Sequence, residues 1–160
     1  MAQEDGPGRV IWTSVLTWDD DLTSSGVAAL PSIRAWVRRT ATDIGADALT
    51  DLLLVVVELV TNAIEHGGGP RCLRLSRRHA EVDVEVEDTN LDDLTPGVSR
   101  FGPTAHRGAG LVLVRRICRD WGVRRDPAAG GKTVWSTMPC EEHAHPDKTV
   151  KPSGTTPSRR

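Results

Sequence analysis

The chain has 160 residues, 38% hydrophobic and 26% charged, which is the length of about one domain with enough apolar material for a core. Twenty basic against twenty-two acidic residues leave a net charge of −2, excluding the bulk basic field of a nucleic-acid binder. The longest purely apolar run, Leu52–Val57, is far short of the roughly 20 residues needed to cross a bilayer, so no membrane association is expected.

Met1–Arg9 is polar, with two glycines and a proline, and its start lacks the apolar stretch of a secretory signal. Residues 1–9 are therefore expected to be disordered and the protein cytoplasmic. Val10–Trp18, rich in β-branched and aromatic residues, predicts a strand. Ser24 or Ser25 can cap a helix running to about Ile44, with Pro31 near its start and Gly45 as its stop. A second helix is predicted from Asp47 or Thr50 to the Gly67-Gly68-Gly69-Pro70 break. Its β-branched run Val55–Val57 would suit a strand, but the segment is too long for one. Its polar positions 51, 58, 62 and 65 also share one helical face.

A hairpin follows. Cys72–Arg77 intersperses Cys72, Leu73 and Leu75 with Arg74 and Arg77, and Ala80–Glu87 places Val82, Val84 and Val86 on one face. Residues 89–107 form a long polar loop containing Pro96, Gly97, Gly102 and Pro103, and loops of such length are uncommon unless functional or disordered. Gly108–Cys118 reads as an apolar helix. Trp121–Arg125 and Thr133–Met138 read as strands around a Gly130-Gly131 turn. The order β-α-α-β-β-loop-α-β-β predicts an α+β two-layer sandwich with a mixed, mostly antiparallel sheet and helices on one face. Residues 10–138 are the expected domain. Residues 139–160, rich in Pro, Ser and Thr and poor in aliphatics, are the expected disordered tail.

The cysteines Cys72, Cys118 and Cys140 are odd in number and widely spaced, which suits free thiols in a reducing compartment. Cys140, His143 and His145 make only a weak metal pattern. The five tryptophans are read as core and core-margin residues, and Arg115, Arg116 and Arg119 as a solvated helix face.

Three features can carry chemistry. Glu58 and Asn62, at i and i+4, project from one helix face, where a carboxylate can act as general base and an amide oxygen can ligate Mg²⁺. A solvated polar stripe is the other reading. Asp88, at the end of a strand, is either a turn residue or a buried acceptor for an amine edge, a contact that discriminates strongly. Gly108-Ala109-Gly110 at a helix N-terminus, with Arg107 before it, suits an anion through its free N–H groups and the helix dipole.

The order of these features resembles the GHKL ATPase superfamily, with its Bergerat ATP-binding fold. The resemblance rests on Glu58-Leu-Val-Thr-Asn62-Ala-Ile-Glu-His66 as the N box, Asp88-Thr-Asn90 as the first glycine box, Arg107-Gly108-Ala109-Gly110-Leu111 as the second, and Thr133 in the closing strand. It covers about residues 12–138. The short domain is most similar to the anti-sigma factor serine-protein kinases. That likeness implies Glu58 as general base, Asn62 as Mg²⁺ ligand, Asp88 as reader of the adenine amino group with Thr133 behind it, and Gly108 and Gly110 around the phosphates beneath a lid at about 91–107. It further implies ATP and Mg²⁺ as cofactors, a sigma factor and an anti-anti-sigma (STAS-like) protein as partners, the latter phosphorylated on serine, and a homodimer. The family pattern is D-x-G, whereas this chain has Asn90 in the third position. Asn tolerates the left-handed backbone that such a glycine can need, but it adds bulk. The alternative is a non-catalytic protein-binding module of the same fold with weak or lost nucleotide binding.

Overall fold

The computed structural model describes residues 9–91 and 109–140. Most of the expected lid, Arg107, Gly108, His143 and His145 lie outside the described residues, as do both chain ends. β1 spans Val10–Thr17, and Trp12 and Leu16 turn inward from it to meet the core.

The single helix expected between Ser24 and Ile44 is divided into three pieces. α1 (Asp20–Ser25) starts earlier, because the Asp19 carboxylate accepts the Leu22 N–H at 2.9 Å. A carboxylate at that position satisfies an orphan donor and complements the helix dipole. Ser24 and Ser25 instead donate back to the carbonyls of Asp20 and Asp21. Gly26, at φ +50°, ends α1, and a single 3₁₀ turn at Gly26–Ala29 leads into α2 (Leu30–Thr40). Pro31 falls in the first turn of α2, where its missing N–H costs nothing. Gly45 does not stop α2. It is the extended residue that opens α3 (Ala46–His66).

β2 (Pro70–Arg78), β3 (Glu81–Asp88), β4 (Asp120–Asp126) and β5 (Gly131–Pro139) complete a five-stranded sheet in the order β1-β2-β3-β5-β4. The expected mostly antiparallel sheet has all four of its pairings antiparallel. α4 (Ala109–Ile117) packs beside α3. The core lies between one sheet face, carrying Leu73, Leu75, Val82, Val84, Val86 and Val134, and the apolar stripe of α3, carrying Leu52, Val55, Val56, Leu59 and Val60. Period-two alternation also sends Arg77 inward with Leu73 and Leu75, not outward with Arg74 as the sequence suggested. There it meets the Asp43 carboxylate, 3.7 Å from its Nε, and the Trp12 indole N–H donates to the same carboxylate at 3.0 Å.

The opposite sheet face is a ladder of cross-strand ion pairs, among them Arg74–Glu85, Arg78–Asp83 and Arg124–Glu85. Trp135 belongs to this outer face, so it is not a core residue like its four counterparts. Its indole lies over Gly122, where an added Cβ would stand 2.9 Å from the ring. The three cysteines are free. β5 runs one residue beyond the expected boundary, and Cys140 follows it, buried, with its N–H donating to the Ala80 carbonyl at 2.9 Å. Among the described residues, no helix is long and apolar enough to cross a membrane.

Candidate functional site

The site begins where α3 ends. A helix C-terminus leaves carbonyls without intrahelical partners, and here the chain supplies them. The N–H groups of Gly67 and Gly69 donate to the Ala63 carbonyl at 3.0 and 3.1 Å. From the end of β3, the Thr89 N–H and hydroxyl both reach the Gly67 carbonyl, at 3.0 and 3.1 Å, and the Asn90 side-chain amide donates to the His66 carbonyl at 2.7 Å. Among the described residues, no residue other than glycine has a positive φ. Asn90 therefore does not use a left-handed backbone, and its side chain ties the end of β3 to the end of α3.

Asp88, the last residue of β3, is carried by this joint into the interior. It is 1% exposed. Its Oδ1 accepts the Asn90 N–H at 2.9 Å and the Lys132 ammonium at 3.0 Å. Lys132, likewise 1% exposed, also donates to the Asn90 carbonyl at 2.9 Å. Burial pushes the Asp88 carboxyl above its ordinary 3.8. The Asn90 N–H and the Lys132 ammonium pull it back without cancelling that effect. Two glycines allow the approach. A Cβ on Gly67 would stand 2.5 Å from Asp88 Oδ2, and one on Gly131 would collide with the Asp88 carbonyl oxygen.

Glu58 and Asn62 lie one turn apart on α3, both partly buried, as their spacing predicts. Burial first, and the charge of Glu65 second, push the Glu58 carboxyl above its ordinary 4.5. A carboxylate whose pKa is raised is a stronger base for a hydroxyl proton than an ordinary carboxylate. The Asn62 side-chain nitrogen is buried without a partner among the described residues. An unmet N–H donor of this kind suits an acceptor such as a phosphate oxygen. Among the described residues, no cluster of three or more His, Cys, Asp or Glu could hold a metal by itself. The atom of Asn62 that could ligate a cation is its amide oxygen, which together with oxygens of a ligand is a donor set that suits Mg²⁺.

The remaining expectations divide. Ala109 and Gly110 open α4, and Leu111 is buried on its inner side. Thr133 is not beside Asp88. The strand register sets it opposite Glu87, on the ion-paired outer face, and the residue opposite Asp88 is Lys132. Counting back by twos from the buried Met138, Ser136 and Val134 reaches Lys132, a signal present in the sequence but overlooked because lysine is seldom buried.

The sequence matches the model of the histidine kinase-like ATPase domain over residues 23–138, well over half of the chain. A solved structure described as mycobacterial sensor histidine kinase MprB is similar at 15% identity and a TM-score of 0.44, covering 82% of this chain and 99% of that one. No curated protein matches the sequence. The family match runs from within α1 to within β5, including Glu58, Asn62, Asp88 and Lys132, and the chain belongs to the histidine kinase-like ATPase domain family.

Proposed function

We propose that this protein is a cytoplasmic, ATP-binding regulatory serine-protein kinase of the anti-sigma type, which sequesters a sigma factor and phosphorylates an anti-anti-sigma protein on serine. The observation that carries this reading is the pairing, one turn apart on α3, of a carboxylate with a raised pKa and a partly buried amide whose Nδ2 has no partner among the described residues. The same helix ends against the buried Asp88 carboxylate. Family membership supports ATP as the ligand.

In this reading Asp88 accepts the adenine amino group, the start of α4 faces the phosphates, and Asn62 holds Mg²⁺ against them. Bound Mg²⁺ would neutralise phosphate charge, which with positioning is most of what phosphoryl transfer requires. Glu58 takes the proton of the partner's serine hydroxyl.

Calorimetric titration with ATP, with and without Mg²⁺, tests the site. Mg²⁺-dependent binding that disappears in Asn62→Ala is the expected result, and equal binding by parent and variant would refute it. Phosphoserine on a co-incubated anti-anti-sigma protein, lost with Glu58→Ala, tests the kinase assignment. One observation favours the second reading, a docking module without effective nucleotide chemistry: the Asp88 carboxylate is already engaged by Lys132. Partner retention that persists without nucleotide, together with no phosphate transfer, would decide for that reading.

A further inference from the structure

Lys132 occupies the part of the site that a nucleobase would need. Its ammonium and the Asn90 N–H both donate to Asp88 Oδ1, at 3.0 and 2.9 Å. A carboxylate oxygen offers about two lone-pair positions, so Oδ1 is filled from within the chain. Oδ2 faces the space that Gly67 leaves by lacking a Cβ, and the Asp88 side chain as a whole is only 2% exposed. The second N–H···O contact of Lys132, to the Asn90 carbonyl at 2.9 Å, anchors the ammonium to the segment that also caps α3. An ammonium and an exocyclic amine are both N–H donors. Lys132 therefore makes to Asp88 the bond that a purine amino group would make.

We infer that Lys132 sets the nucleotide affinity and base selectivity of this site: its ammonium is a resident occupant of the amine seat on Asp88, which an aminopurine nucleotide must displace in order to bind. The inference rests on the proposed reading of Asp88 as the acceptor for the base. A buried ammonium separated from its carboxylate is costly, so displacement opposes binding in the parent protein. A side chain without the ammonium leaves Asp88 unmatched until an amine arrives. A base that lacks the amine gains nothing from the exchange.

The experiment compares Mg-ATP with Mg-ITP, whose base carries a carbonyl in place of the amino group, by calorimetry on the parent and on Lys132→Thr. The expected result is at least tenfold tighter ATP binding by the variant, with no matching gain for ITP. ATP affinity unchanged or weakened in a folded variant overturns the inference while leaving the ATP-site reading intact, as does an equal gain for both nucleotides. No binding of either nucleotide to parent or variant overturns both. A second measurement needs no substitution. The chain has only three lysines, Lys132, Lys148 and Lys151, so the Lys132 Nζ and Cε resonances can be followed in isotopically labelled parent protein. They should shift strongly on addition of Mg-ATP and little with Mg-ITP. Resonances unmoved at saturating ATP overturn the displacement.

Discussion

Gly67→Ala tests the joint between α3 and β3 with a single methyl group. The new Cβ would stand 2.5 Å from Asp88 Oδ2, 2.6 Å from its Cγ and 2.8 Å from the Ala63 carbonyl oxygen. None of these neighbours can retreat cheaply. The carboxylate is held by the Lys132 ammonium and the Asn90 N–H, and the Ala63 carbonyl is held by the N–H groups of Gly67 and Gly69. Gly67 has φ −93°, which alanine also adopts, so the penalty comes from space and not from backbone conformation. Overpacking of this kind costs about 1–3 kcal/mol, and the fixed surroundings favour the upper half of that range. For a chain of this size that is a fall in Tm of roughly 4–10 °C. Denaturant unfolding of Gly67→Ala, Asp88→Ser and the double variant isolates the contact. Removing the carboxylate should relieve part of the clash, giving a coupling of about 0.5–2 kcal/mol. A Gly67→Ala protein within about 0.5 kcal/mol of the parent, or strict additivity in the double variant, would refute the described packing.

Three further outcomes are expected. Lys132→Met should destabilise the protein by about 3–5 kcal/mol by leaving a buried carboxylate uncompensated, whereas adding Asp88→Leu should recover most of that loss, as measured by denaturant unfolding. Glu65→Gln should bring the Glu58 pKa back toward its ordinary 4.5, because Glu65 helps to raise it. A base works only when deprotonated, so in the proposed kinase reading the acidic limb of the pH profile for phosphate transfer should move to lower pH, and an unmoved limb would remove Glu65 from the account. The raised Asp88 pKa contributes stability that is present below 3.8 and lost as pH rises through the higher folded value, so Asp88→Asn should remove that part of the pH dependence of unfolding.

The site was partly legible because helix periodicity and breakers act locally. Glu58 and Asn62 share a face through the spacing of a helix that Gly67-Gly68-Gly69 terminates, and no tertiary contact is needed to know it. Alternation likewise revealed the inner face of β3 and assigned Asp88 to its end. The division of the first helical region was harder to read, because Asp19 competes with Ser24 and Ser25 as a cap and local chemistry ranks them only weakly.

What the sequence determined alone was the order of the strands and of α3 and α4, the apolar stripe of α3, the mostly antiparallel character of the sheet and the family motifs. The tertiary structure decided which side chains share a buried space. Thr133 and Lys132 are neighbours in sequence, yet only the pairing of β5 with β3 sets Lys132 against Asp88 and turns Thr133 to the opposite face. Asn90 resembled a tolerated replacement for glycine until the end of α3 supplied the His66 carbonyl that its side chain caps. Arg77 resembled an outward arginine until the register with Trp12 and the approach of Asp43 gave its charge a place inside. In each case the deciding partner lies far away along the chain. Burial of a polar group is favourable only when such a partner is present, and local sequence carries no record of it.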